Sequence, residues 1–364
     1  MKKIGIITLT GYKNYGNRLQ NYALQEYLKK FNYEVNTIWH NHYAFKDKLK
    51  RIIKYILGID KKSIIRENNI RKFSKKYISE FSISKNKVSI LDNYYDLYTI
   101  GSDQIWNPDT DLNYLGFKII DNKKPSLTYS ASIGISNISG KQKELFLKVL
   151  KKNNLIGISV REENAKEELK KINKNLNIDV LIDPTMLFGI EFWSKICKKP
   201  KGIKDIKYVL CYFLGSLDDN RYESIYSFAN KNGCKIINIL DKNDKYYTSD
   251  PSEFLWLEKN AFLICTDSFH SSVFALLFNK PFVIFDRRQE GYENMSSRLS
   301  NLIKIFKLKN RNYNGKSITN KNLNHNYSEA YKILENERNK SNDYLKKVFK
   351  IYNDLWSDEN YGRK

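Results

Sequence analysis

The chain has 364 residues, 41% hydrophobic and 14% aromatic, with 26 Tyr and 19 Phe, which supplies real hydrophobic cores and excludes a largely disordered protein. Its 63 Lys and Arg against 40 Asp and Glu leave a formal charge of +23, a balance that draws anionic partners such as a lipid surface or an acidic substrate. No nucleic-acid reader motif accompanies the charge, so nucleic acid is set aside, and no uninterrupted apolar run of about eighteen residues offers a membrane span.

In chain order, "KIGIITL" reads as a buried strand, too short an apolar run for a signal-peptide core, so a cytoplasmic protein is expected. The turn that follows carries Gly11, Asn14, Gly16 and Asn17, small and flexible enough to approach a ligand closely. "NRLQNYALQEYLKKF" then shows helical spacing. The turn is neither GxGxxG nor a Walker loop, and a plain strand-to-helix connection fits it equally well. "YEVNTIWH" is a second strand. Residues 46–77 follow, with twelve Lys or Arg against three acidic residues, in an alternation that suggests amphipathic helices able to lie on anionic lipid or to form a solvated face.

"YYDLYTIGSD" reads as a strand ending in Ser102, Asp103 and Gln104 beside Trp106, the mixture of carboxylate, amide and aromatic face that holds sugars. Asp103 is placed to act as a general base or to cap the next turn. "SLTYSAS", "NLIGISVRE" and "IDVLIDP" are further strands, with "KQKELFLKVLKK" and "ENAKEELKKI" as helices. Arg161 ends one of these strands, where it can pair with a carboxylate or phosphate. A polar stretch punctuated by Pro200 and Gly202 divides the chain, giving a first domain over 1–195 and a second over 196–322.

The alternation restarts with "YVLCYFLG", "NRYESIYSFANKNG", "KIINIL", "PSEFLWLEKN", "AFLICTD", "SFHSSVFALLFN" and "PFVIFD". His270, one of four histidines, falls in the first turn of a helix just after a strand, among Thr266, Asp267, Ser268, Ser271 and Ser272. A helix amino terminus so furnished attracts an anion, although a capping histidine has the same pattern. Arg298 begins a later helix as a second anion partner. Residues 310–324 read as a loop, and 323–364 supply one or two closing helices that pack back on the first domain.

The expected fold is therefore α/β, two Rossmann-like domains facing across a cleft, with ligands at the carboxyl ends of the strands. Cys197, Cys211, Cys234 and Cys265 form no CxxC pair and read as reduced core thiols; nothing in the sequence calls for a metal.

The matches "GYKNYGNRLQNYALQEYL", "GSDQIWNP", "YSASIG", "ISVREENAKEEL", "VLIDPTMLF" and "TDSFHSSVFALLFNKPF" make the chain resemble the polysaccharide pyruvyl transferase family. The resemblance implies the GT-B two-domain architecture. It also implies transfer of a pyruvyl group from phosphoenolpyruvate, as co-substrate rather than cofactor, to sugar hydroxyls as a ketal. The acceptor would be a lipid-linked or nucleotide-linked glycan of cell-surface polysaccharide assembly, with residues 46–77 against the anionic inner face of the membrane. On the same resemblance His270 binds phosphate and assists proton transfer, with Ser268, Ser271 and Ser272 around it, and Arg161 and Arg298 clamp the anion. Asp103, Ser102, Gln104, Trp106, Asn14, Gly16 and Asn17 face the acceptor. Characterised members carry Arg-Leu-His where this chain has Ser268, Phe269 and His270, which makes Arg287 and Arg288 the candidate substitute cations. A glycosyltransferase of the same architecture, with Glu290 or Glu293 toward a ribose, and a non-catalytic membrane scaffold are the alternatives.

Overall fold

The computed structural model describes residues 1–40, 55, 58–83, 85–108, 114–135, 137–288 and 296–356. Seven strands, β1 (Lys3–Ile7), β2 (Glu34–His40), β3 (Glu80–Ile83), β4 (Leu97–Ile100), β5 (Ser126–Thr128), β6 (Leu155–Val160) and β7 (Ile178–Val180), form one parallel sheet in the order β3-β2-β1-β4-β5-β6-β7. Four more, β8 (Tyr208–Tyr212), β9 (Lys235–Asn238), β10 (Leu263–Thr266) and β11 (Phe282–Ile284), form a second parallel sheet in the order β11-β10-β8-β9. The short apolar runs that read as buried strands are buried as expected, with helices α3 (Gly140–Leu150), α4 (Glu163–Ile172) and α5 (Asp219–Lys231) among those connecting them. Two Rossmann-like units result, and the chain order reverses between β1 and β4 in one and between β8 and β10 in the other. Those two switch points are where such sheets open a crevice beyond their strand ends.

The helices that matter to the crevice begin at these reversals. Helix α1 (Tyr15–Lys29) follows β1 and is capped by Asn14, whose Oδ1 accepts from the Gly16 N–H at 2.8 Å. In α2 (Lys61–Tyr77), Arg66, Ile70, Phe73 and Ser74 are buried against α1 and against α6 (Pro251–Asn260), while Lys61, Lys62, Lys72, Lys75 and Lys76 stay exposed. Within α2 the buried stripe thus faces the protein and these lysines face outward. Residues 46–54, 56 and 57 of that basic stretch lie outside the described residues. Arg66 also ties the two units together, its Nε donating to Tyr15 Oη at 3.2 Å while the guanidinium lies 5.4 Å from the Tyr247 ring.

In the second unit, α6 carries Pro251 at its start and a reciprocal cap between Asp250 and Glu253. Helix α7 (Phe269–Leu277) is buried on every face, not on one, because it is wedged between its own sheet and the 184–196 segment of the first unit. Residues 310–324, expected as a loop, contain two short 3-10 turns, Lys309–Arg311 and Asn320–Leu323. The closing segment is one helix, α9 (Ser328–Trp356), which returns to the first sheet: Tyr344 Oη donates to the Thr128 carbonyl at 2.7 Å and Arg338 to the Met186 and Phe188 carbonyls at 2.8 Å each.

Candidate active site

Four loops converge where the two switch points face each other. The loop after β1 brings Leu9, Asn14 and Asn17; that after β4 brings Asp103 and Gln104; that after β8 brings Leu214; and that after β10 brings Ser268, Phe269 and His270. With Arg287 and Arg298, on α8 (Ser296–Ile305), they enclose a cavity of about 150 Å³. The backbone is bent to deliver Asp103. Gly101 adopts φ 141°, where a Cβ would lie 2.0 Å from the Tyr129 carbonyl oxygen, and Asp103 itself sits in the left-handed region at φ 60°. A non-glycine residue held there costs free energy that the surrounding structure must supply.

Beneath the cavity lies a buried charge cluster. Asp183, after β7, caps the next turn with Oδ1, which accepts from the Thr185 N–H at 3.0 Å and its hydroxyl at 2.7 Å. Its Oδ2 accepts from Arg161 Nη1 at 2.8 Å and from Ser102 Oγ at 3.3 Å, and faces His270 Nε2 at 3.6 Å. Burial alone would raise this carboxyl, but His270, Arg161 and the Thr185 N–H outweigh it and hold Asp183 far below the usual carboxylate range. Arg161 also meets Glu162 at 3.1 Å and Asp103 at 3.7 Å; burial pulls its guanidinium down, and the three carboxylates more than restore it. Arg298 has Asp103 at 3.3 Å, and burial together with the neighbouring Arg161 charge pulls it down to about 10. Arg287 is steadied by Asp267, at 3.5 Å from its Nε and 3.1 Å from Nη2 to the backbone carbonyl.

The imidazole of His270 is seated on α1. A Cβ placed on Gly16 would lie 2.1 Å from His270 Nδ1, so only glycine admits the ring there. Nε2 is buried and faces the Asp183 carboxylate at 3.6 Å, just beyond hydrogen-bond distance. The helix amino termini of α1 and α7, at Asn14 and Ser268, both open on this space, adding partial positive charge to Arg287 and Arg298.

His270, Asp103, Ser268, Arg287, Arg298, Asn14, Asn17 and Gln104 thus come together as the sequence suggests, with Gly16 as the seat and Arg161 in the cluster below. Five expectations are corrected. Ser271 turns away from the cavity, because successive helical residues rotate by about 100°, and its Oγ donates to Glu258 at 2.5 Å. Ser272 Oγ donates back to the Ser268 carbonyl at 3.0 Å. Ser102 is fully buried, its Oγ bound to the Ser130 carbonyl and Asp183. Trp106 is also fully buried, its indole N–H on the Gly116 carbonyl at 3.2 Å, so its ring offers no face to a sugar. Arg288 is exposed and paired with Asp218 on the outer surface. Asp183 is the residue that sequence reasoning missed; "IDVLIDP" was legible as a strand, and Pro184 after the Asp was the signal of a cap at the strand's carboxyl end. Among the described residues no cluster of three or more His, Cys, Asp or Glu is arranged to hold a metal.

A family model described as polysaccharide pyruvyl transferase matches residues 14–289, which spans both switch points. No curated protein matches the chain in sequence. Among solved structures it is similar to a UDP-N-acetylglucosamine 2-epimerase from Rickettsia bellii, 13% identical over 98% of this chain and 99% of that one, with a TM-score of 0.47. It is also similar to a glycosyltransferase from Rickettsia africae, 12% identical over 98% and 99%, TM-score 0.44. A third is MurG of Acinetobacter baumannii, 10% identical over 96% and 100%, TM-score 0.43.

Proposed function

The chain belongs to the polysaccharide pyruvyl transferase family, and from that premise we propose that it transfers the pyruvyl group of phosphoenolpyruvate to a pair of sugar hydroxyls, as a ketal, in cell-surface polysaccharide assembly. The observation that carries this reading is the cavity of about 150 Å³ around His270, bordered by Arg287 and Arg298 and two helix amino termini. It suits a small, multiply charged anion.

In the proposed reaction the arginines and helix termini hold the phosphate and carboxylate, and His270 gives a proton to the methylene carbon of the enol phosphate. Positive charge develops on the adjacent carbon, where the first sugar hydroxyl adds while Asp103 takes its proton. Phosphate then leaves with the bonding pair of its C–O bond, the second hydroxyl closes the ketal, and its proton ends on phosphate. The proton held by Asp103 restores His270, so one donor and one diol give one ketal and one hydrogen phosphate. Asp183, fixed by Arg161 and the Thr185 cap, orients the imidazole from behind.

Among the described residues no helix is long and apolar enough to cross a membrane. We place the protein in the cytoplasm, with the exposed lysines of α2 toward the anionic inner leaflet, where lipid-linked acceptors are displayed.

Thermal unfolding with phosphoenolpyruvate, UDP, GDP and CMP tests the donor. A ligand at about 100 times its Kd adds about 2.7 kcal/mol to the native state, a shift of several degrees. The shift is expected with phosphoenolpyruvate and absent in His270→Ala; a shift with a nucleotide alone would transfer the assignment to glycosyl transfer.

A further inference from the structure

Two cavities meet at one side chain. The front cavity of about 150 Å³ and a second of about 170 Å³ behind it have a single lining residue in common, Phe269. Its ring lies 4.7 Å from the Arg161 guanidinium carbon and stands edge-on to His270, with centroids 5.3 Å apart and planes at 87°. The rear cavity has a mixed lining, in which Met186, Leu302 and Ile305 stand together with the charged Arg161, Glu163 and Lys340. Arg161 does not depend on the ring for its place, since Asp183, Glu162 and Asp103 hold it from the other side.

We infer that Phe269 sets donor size: its ring limits the front cavity to a three-carbon enolpyruvyl unit and shuts off the space behind it, where Met186, Leu302 and Ile305 would receive an alkyl extension. The inference rests on the pyruvyl-transfer reading. In a close-packed wall one added methyl group has nowhere to go without moving the ring, and pockets of this kind discriminate one carbon by about 10-fold to 200-fold. Trimming the ring to a methyl joins the two spaces and roughly doubles the room.

The test is calorimetric titration of the full chain with phosphoenolpyruvate and with its methyl homologue, (Z)-2-phosphonooxybut-2-enoate. Wild type is expected to bind the homologue at least about 10-fold more weakly. Phe269→Ala is expected to bring the two affinities within about threefold, with Phe269→Leu between them and decisive if the alanine variant fails to fold or loses phosphoenolpyruvate. Equal affinities in wild type, or an unchanged ratio in the variants with phosphoenolpyruvate still bound, overturns this proposal alone. No binding of phosphoenolpyruvate to folded wild type overturns the donor assignment and this proposal with it.

Discussion

Gly16→Ala separates placement of His270 from stability of the fold. The added Cβ would lie 2.1 Å from Nδ1, and an ordinary contact of 3.4 Å requires the ring to retreat by about 1.3 Å. A displacement of about 1 Å in a reacting group costs about 100-fold in turnover. Crowding of this kind costs about 1–3 kcal/mol, while alanine for glycine in a helix returns up to about 1 kcal/mol. The net loss of at most about 3 kcal/mol lowers the unfolding midpoint by no more than about 6 °C. Gly11→Ala is the control in the same turn, because its Cβ would meet nothing within 4 Å. Phosphate release from phosphoenolpyruvate, measured with the glycan intermediates of cells that make the polymer, should fall about 100-fold for Gly16→Ala and stay at the wild-type rate for Gly11→Ala. A folded Gly16→Ala protein that turns over at the wild-type rate would refute the seating of His270 on α1.

Asp183→Asn leaves Arg161 and His270 without their common carboxylate. Removing one partner of a buried charged network costs about 3–5 kcal/mol, so the unfolding midpoint should fall by roughly 6–10 °C at pH 7. The Asp183 carboxyl is depressed in the folded protein, so its contribution is complete above the ordinary value of 3.8 and is lost as pH falls toward the folded value; the gap to wild type should narrow below about pH 4. Glu258 has the opposite sign. Burial raises it well above 4.5 even with Ser271 donating to it, so stability drains by up to about 1.4 kcal/mol per pH unit above that value. Glu258→Gln should therefore gain on wild type as the midpoint is followed from pH 4.5 to pH 8. Burial pushes the Cys197 thiol up to about 11, so iodoacetamide at pH 8 should alkylate it far more slowly than a free cysteine, as mass spectrometry would show.

Alternation of apolar runs with helical spacing carried the reading of both sheets, because parallel strands buried on two faces are short and continuously apolar, as "KIGIITL" and "FLICT" are. His270, Asp103, Arg298 and the Asn14–Asn17 turn were legible for one reason: each directly follows a strand or opens a helix, where ligands of such sheets gather. What sequence could not supply was direction. Ser271 is adjacent to His270 in the chain and on another side of α7, where it serves Glu258. Trp106 looked like a sugar platform, yet its N–H found a backbone carbonyl and its ring a core. Asp183 matters because three elements far apart in the chain, carrying Ser102, Arg161 and His270, close on one oxygen. That convergence belongs to the tertiary structure and has no local pattern. Arg66 likewise reads as one more charge in a basic helix, although it is buried between Tyr15 and Tyr247 as a tie between the two units.

Transfer of label from phosphoenolpyruvate tests the central claim most directly. Purified protein would be incubated with carbon-labelled phosphoenolpyruvate and the lipid-linked and nucleotide-linked glycans extracted from cells that make the polymer. The expected result is label in the glycan as an acid-labile pyruvate ketal, with one phosphate released per ketal formed and neither product with His270→Ala. Label that stays in phosphoenolpyruvate while a sugar from a nucleotide donor enters the same glycan would contradict it.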